Sequence, residues 1–238
     1  MLKKFLDFLF PVSCPICGIK VSEHGQICAS CWNKFDWISD PKCDRCGFPF
    51  PANIEKQTKM LCPNCLSKKT KLDWMRSSCV YDDASRNVVL PFKHASRLEF
   101  RNLMARAMIA TLREFPVSES SELIVVPVPL ANKRLFKRGY NQSSLIARPM
   151  AKYLNTKLDY DLVSRIFRSD MGHKSPKERK KNISGVFKIL KPIAGKKILI
   201  VDDVYTTGAT LNELTKILKK AGAIWVGGVT FCRTVKAI

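Results

Sequence analysis

Eight of the ten cysteines fall as four C-x-x-C pairs before residue 66: Cys14/Cys17, Cys28/Cys31, Cys43/Cys46 and Cys62/Cys65. Two thiolates separated by two residues can share one knuckle turn and bind the same ion. Two knuckles complete a tetrahedral shell of four thiolates, so four knuckles make two zinc sites. A closed shell leaves no open coordination position, which makes both metals structural rather than catalytic. Disulfides conflict with the cytoplasmic setting read below, and a redox pair has no reason to recur four times. Gly18 and Gly47 each follow a second cysteine, where a knuckle calls for positive φ. Pairing in chain order closes the shorter loops and is the expected arrangement, with interleaved pairing left open.

A second chemistry-bearing stretch runs from Lys196 to Ala223, KKILIVDDVYTTGATLNELTKILKKAGA. Ile198-Leu199-Ile200-Val201 is too continuously apolar for a half-exposed strand and reads as a central strand of a parallel sheet covered on both faces. Asp202 and Asp203 then stand at its C-terminal end, the edge where open α/β sheets bind ligands. Thr206, Thr207, Gly208, Ala209 and Thr210 can turn amide N–H groups and hydroxyls onto an anion. A helix follows, with capping-box spacing at Thr210 and Glu213. Leu211, Leu214, Ile217, Leu218 and Ala221 form its apolar face, Lys219 and Lys220 its last turn, and Gly222 its C′ residue. Phosphate suits the helix start, and the two carboxylates suit ribose hydroxyls and Mg²⁺. A plain buried strand with an Asx-type turn would need neither both carboxylates nor the hydroxyl loop. The stretch resembles the signature of type I phosphoribosyltransferases. In these the acidic pair contacts the ribose of phosphoribosyl pyrophosphate (PRPP) and the loop holds its 5′-phosphate, which makes Asp202 and Asp203 the expected catalytic residues.

The elements that must position these residues begin near residue 70, where the composition turns globular. The expected division is a Cys-rich module over 1–70 and an α/β domain over 71–238. Ser78 to Tyr81 reads as a short strand. Val88 to Lys93 leads to a helix whose apolar face is Phe100, Leu103, Met104, Ala107, Met108 and Leu112. Lys93 is either a surface charge or a phosphate contact. Leu123 to Val126 is a buried strand whose exit is fixed by Pro127, Val128 and Pro129. Lys133 to Gln142 (KRLFKRGYNQ) reads as a basic loop with a glycine turn, on the same sheet edge as the acidic pair. In the helix after it, Leu145, Ile146, Met150, Tyr153 and Leu154 face inward, with a kink or break expected at Pro149. Arg165 to Asn182 carries seven Lys/Arg plus His173 without apolar periodicity and reads as a mobile loop. His173 has no visible carboxylate or metal partner. Trp225 to Phe231 is a last strand, and Cys79 and Cys232 are ordinary core residues.

Over 238 residues, 41 Lys+Arg against 20 Asp+Glu give a formal charge of +21, spread along the chain. That favours a polyanionic partner such as nucleic acid over a merely solvated surface, with membrane phosphate as the competitor. No segment reaches the roughly 18–20 apolar residues that cross a bilayer. Met1 to Val12 is interrupted by Asp7 and has no A-x-A-like cleavage site. It reads as an amphipathic helix rather than a signal peptide, in a cytoplasmic protein.

The order of four cysteine knuckles, VLPFKH, VPVPLANKRLFKRGYNQ, ERKKNISGVF and VDDVYTTGAT resembles the ComF family of competence proteins. That family joins a double zinc ribbon to a phosphoribosyltransferase-type domain. The resemblance implies a type I phosphoribosyltransferase-like parallel sheet flanked by helices. It implies that Val128, Pro129, Lys133 and Arg134 form the pyrophosphate loop, with Arg138, Asn141 and Gln142 lining or bracing the pocket. Arg179 and Asn182 match the family's R-x-x-N, whereas Met171 stands near where a glutamine is expected and Pro149 departs from the pattern. It further implies handling of single-stranded DNA in natural transformation, with PRPP and Mg²⁺ as ligands and DNA-uptake helicase or pore proteins at the inner face of the membrane as partners. Lys137, Arg138, Arg179, Lys180 and Lys181 are the residues expected on DNA, and Phe136, Tyr140, Trp32 and Trp37 the aromatics that could stack on bases. The runner-up is a nucleobase salvage enzyme joining a base to PRPP, for which no residue identifies a base pocket.

Overall fold

A computed structural model describes residues 12–23, 25–55, 58–116, 122–166 and 185–235. Two one-turn helices, α1 (Ala29–Trp32) and α2 (Pro63–Leu66), carry the last cysteine of each metal set. Beyond them lie β1 (Trp74–Val80), α3 (Asp83–His94), α4 (Phe100–Thr111), β2 (Leu123–Pro127), α5 (Asn132–Arg138) and α6 (Gln142–Tyr153). β3 (Lys157–Leu158), β4 (Val163–Arg165), β5 (Phe187–Ile189), β6 (Lys197–Tyr205), α7 (Ala209–Lys220) and β7 (Trp225–Arg233) complete the chain. Five strands pair in parallel in the order β1-β7-β6-β2-β3, while β4 and β5 form a separate antiparallel pair. This is the parallel α/β sheet expected from the sequence, preceded by a Cys-rich region.

Ile198, Leu199, Ile200 and Val201 are all fully buried, as a strand covered on both faces requires. The chain leaves β2 toward β3 on one side and leaves β6 toward β7 on the other. The crevice between the C-terminal ends of β2 and β6 is therefore the topological switch point, where open sheets of this kind bind ligands.

The Cys-rich region covers the β1 edge. Ile38 N–H donates to Ser78 O at 2.9 Å, Val80 N–H to Asp36 O at 2.8 Å, and Met75 N–H to Arg45 O at 2.8 Å. An edge strand that would otherwise offer a row of free backbone groups is thereby closed.

Four local expectations are corrected. Residues 88–93 lie inside α3, which a reciprocal Asp82–Ser85 capping box starts and Pro91 does not interrupt. Burial of Val88, Val89 and Phe92 outweighs the strand-like propensity of that run. The basic stretch after β2 is not a loop: Asn132 to Arg138 is helical, closed by Gly139 in the left-handed region. Helix α6 runs through Pro149 without a break, held by buried Ile146, Ala147, Met150 and Ala151, although Tyr153 at its end is exposed. Strand β6 continues past Val201 to Tyr205 because β7 pairs with it that far, while β2 stops at Pro127. The acidic pair is thus inside the β6–β7 ladder yet just beyond the end of β2.

The N-terminal stretch through residue 11 lies outside the described residues. So do Met171, His173, Arg179, Lys180, Lys181 and Asn182. Among the described residues no helix is long and apolar enough to cross a membrane.

Candidate functional site

The cysteines gather in two sets, Cys14, Cys17, Cys28 and Cys31, and Cys43, Cys46, Cys62 and Cys65, with the sulfurs of each set within 4.8 Å of one another. Pairing is therefore sequential. Four sulfurs about 2.3 Å from one ion stand about 3.8 Å apart in a tetrahedron. The 3.5 Å separations of Cys17–Cys28 and Cys46–Cys62 Sγ fit that shell. Gly18 and Gly47 take φ of +79° and +62°, and Cys43 Sγ accepts from the amides of Cys46 and Cys62 at 3.5 and 3.4 Å. These are tetrathiolate sites that fit structural zinc. Cys79 and Cys232 are buried register partners on β1 and β7, and burial pushes both thiols up.

The switch-point crevice holds a cavity of about 370 Å³. Asp202, Asp203, Thr206 and Thr210 line it from β6 and the turn after it, Val128 and Pro129 from the β2 exit, Arg134 from α5 and Lys93 from α3. Asp203, at 2% exposure, receives Lys93 Nζ on Oδ1 at 2.8 Å, and its Oδ2 is buried without a partner. Asp202 Oδ1 accepts from Ser143 Oγ and from Asp203 N–H, both at 2.9 Å. Burial first, and then the charge of Asp203, push the Asp202 carboxyl up to about 7, against the opposing pull of Lys93. Neither Asp202 Oδ2 nor Asp203 Oδ2 has a protein donor among the described residues. Two unclaimed carboxylate oxygens are a donor set suited to a hard cation or to sugar hydroxyls.

Of the hydroxyl turn, Thr206 and Thr210 line the cavity, while Thr207, Gly208 and Ala209 do not, and Thr207 Oγ1 accepts from Ala209 N–H at 3.4 Å. Gly208, with φ of +73°, is the N-cap of α7, and a Cβ there would stand 2.3 Å from Tyr205 Oη. The helix begins at Ala209, so Thr210 sits in the first turn and its side chain faces the cavity instead of capping. Glu213, expected to complete a capping box, accepts from Gly185 N–H at 3.0 Å instead. First-turn amides have no partner within a helix and carry the positive end of its dipole.

Residues not singled out from the sequence also reach the cavity. Ser143 holds Asp202, and Arg165 at the end of β4 stacks over Phe187 with its Cζ 5.5 Å from the ring. Burial and then Arg134 lower the Arg165 pKa. A small polar residue just after a helix N-cap was the available signal for Ser143; for Arg165 there was none. Asn141 caps α6 through Ser143 N–H and donates to Val128 O at 3.0 Å, tying that helix to the β2 exit.

Beside this cavity lies a basin of about 460 Å³ lined by Lys93, His94, Ser96, Arg134, Lys137, Arg138 and Tyr140, with no carboxylate in its wall. It shares Lys93 and Arg134 with the first cavity. Partial burial and then the cations around it lower the pKa of His94. Arg138 donates to Gln142 Oε1 at 3.0 Å. Lys133 lines neither cavity and is exposed. Of the aromatics, Phe136 on α5 is 95% exposed, Trp37 is stacked between Trp32 and Phe35, and Tyr140 donates its hydroxyl to Phe92 O.

Fold and site define a double zinc ribbon followed by a phosphoribosyltransferase-type domain. The Double zinc ribbon domain family matches residues 5–74 and the Phosphoribosyl transferase domain family residues 141–236. The chain is 29% identical to DNA utilization protein YhgH of Escherichia coli over 94% of its length and 98% of that protein. It is 26% identical to Competence protein F of Haemophilus influenzae over 86% and 89%, and 26% identical to Competence protein ComFC of Bacillus subtilis over 88% and 85%. A solved hypoxanthine phosphoribosyltransferase from Staphylococcus aureus shares 18% identity, covers 58% of this chain and 68% of its own, and has a TM-score of 0.35. The homologues of this chain thus include proteins named for DNA utilization and for competence, ComFC among them, in keeping with the resemblance read from the sequence.

Proposed function

We propose that this chain is a ComF-like DNA-uptake protein acting in natural transformation, which binds single-stranded DNA and holds PRPP with Mg²⁺ in its phosphoribosyltransferase-type cavity. One observation carries this reading. The carboxylate-and-hydroxyl cavity adjoins a cation-lined basin that shares Lys93 and Arg134 with it, a surface suited to a polyanion rather than to a neutral base. In the proposed arrangement Thr206 to Thr210 hold the 5′-phosphate, Asp202 and Asp203 the ribose hydroxyls, and Arg134 with the Val128–Pro129 exit the pyrophosphate. Mg²⁺ would take the free carboxylate oxygens of the acidic pair and supply charge neutralisation at the pyrophosphate. The basin, through Lys137 and Arg138, takes backbone phosphates, and Phe136 offers an exposed face for a base. Such a protein works in the cytoplasm, beside the uptake machinery at the inner membrane.

Nucleobase salvage would draw on the same cavity, and one experiment separates the two. DNA binding should be largely sequence-independent and fall with salt at a log–log slope of about −0.7 per neutralised phosphate. Charge reversal at Lys137 and Arg138 should reduce both affinity and slope. PRPP should alter DNA affinity, and DNA should alter PRPP affinity by the same factor. Absence of single-stranded DNA binding at near-physiological salt, together with turnover of a free base by PRPP, would establish the salvage enzyme instead.

A further inference from the structure

Arg233 closes β7 at 4% exposure, and no carboxylate pairs with it among the described residues. A buried guanidinium without a negative partner is costly, so its surroundings must supply that charge. Nη1 donates to Cys46 O at 2.5 Å and lies 4.0 Å from Cys46 Sγ, while Nε has no acceptor. Cys46 belongs to the second cysteine set, and four thiolates on one Zn²⁺ carry a net charge of about −2.

The Arg233 guanidinium also lies over two aromatic rings, with Cζ 5.2 Å from Phe48 and close to Tyr205. Its Cζ stands 5.1 Å from the Tyr205 ring, which fills the space a Cβ on Gly208 would need. Thr234, the next residue, donates N–H to Tyr205 O at 2.9 Å and Oγ1 to Thr206 O at 3.0 Å. From the segment after the last knuckle, Lys71 N–H donates to Asn212 Oδ1 of α7 at 2.8 Å. The first cysteine set has a different neighbourhood: Pro15 O accepts from Arg97, and Glu23 pairs with Arg106 of α4.

We infer that Arg233 is the counter-ion of the second tetrathiolate site and, through Tyr205, a positioning residue for the 206–210 turn, so that metal occupancy at Cys43, Cys46, Cys62 and Cys65 is linked to anion binding at the turn. The linkage rests on the reading of that turn as a phosphate cradle. The counter-ion role does not. Removing such an outer partner typically costs a metal site about 10–100-fold in affinity, and linkage requires phosphate ligand and metal to favour each other by one common factor.

The test uses the full-length, zinc-loaded protein. Zinc release to a chromophoric chelator is followed with and without PRPP and Mg²⁺, and PRPP affinity is measured by calorimetry. In the wild type, PRPP should slow release of one zinc equivalent and leave the other unchanged. Arg233→Met should speed release of that equivalent by at least about tenfold, weaken PRPP and abolish the slowing. Arg233→Lys should restore most of the metal retention, and Arg106→Met should change nothing. Tyr205→Leu should weaken PRPP and abolish the slowing while leaving basal release near wild type, and it carries the test if Arg233→Met does not fold. Unchanged zinc release in folded Arg233→Met overturns the counter-ion role. Unchanged PRPP affinity in folded Tyr205→Leu overturns the linkage. A wild type that binds no PRPP overturns the reading of the cavity, while basal zinc release still decides the role of Arg233.

Discussion

Lys93→Met tests whether the acidic pair is electrostatically built into the site. The substitution keeps most of the stem volume and removes the ammonium that stands 2.8 Å from Asp203 Oδ1. Asp203 has side-chain exposure of 3% and its second oxygen has no donor, so the variant leaves a buried carboxylate with little beyond its own backbone environment. Breaking one side of a buried ion pair costs about 3–5 kcal/mol, and Lys93, at 20% side-chain exposure, places the expectation at the lower end, about 3 kcal/mol. For a chain of this size that corresponds to a fall in Tm of about 6–12 °C. Adding Asp203→Asn should recover most of the loss, because a neutral amide no longer needs the ammonium. The coupling energy of the double-mutant cycle should then exceed about 2 kcal/mol. Urea unfolding of the zinc-loaded proteins, followed by tryptophan fluorescence, measures all four corners. A single-mutant loss below about 1 kcal/mol, or a double mutant no more stable than Lys93→Met, would refute the reasoning.

Asp202 gives the pH dependence. With its carboxyl raised from 3.8 to about 7, the folded state holds this proton more tightly than the unfolded state does. Its stabilising contribution is therefore complete below the unfolded value and lost as pH rises through about 7. Asp202→Asn should remove a decline of about 2–3 kcal/mol between pH 5 and pH 8 while weakening PRPP, and parallel pH–stability curves for variant and wild type would contradict the assignment. Elemental analysis should find two zinc ions per chain, and Cys43→Ser should unfold the second ribbon rather than merely slow a reaction; one zinc or fewer in well-folded protein counts against the metal assignment. Gly208→Ala should lose about 1–3 kcal/mol through its positive φ and its collision with Tyr205, and bind PRPP more weakly; wild-type affinity would show that the turn does not hold the ligand.

Much of the chemistry was legible in the chain itself, because it resides in contiguous spacing. C-x-x-C pairs fix which thiolates share a knuckle, an unbroken Ile-Leu-Ile-Val run fixes a doubly covered strand, and the glycine turn before an amphipathic run marks the start of a helix. What the chain could not state was set by partners distant in sequence. Whether β6 ends at Val201 or Tyr205 depends on how far β7 pairs with it. Asn132 to Arg138 is helical although no residue in it is buried, so no apolar period announced it. Ser143 and Lys93 become partners of the acidic pair because α6 and α3 pack across the switch point, and Arg165 and Arg233 acquire their roles only from what surrounds them. Local periodicity and spacing record interactions between near neighbours, whereas the charge balance of a buried carboxylate or guanidinium is decided where segments many residues apart are brought into contact.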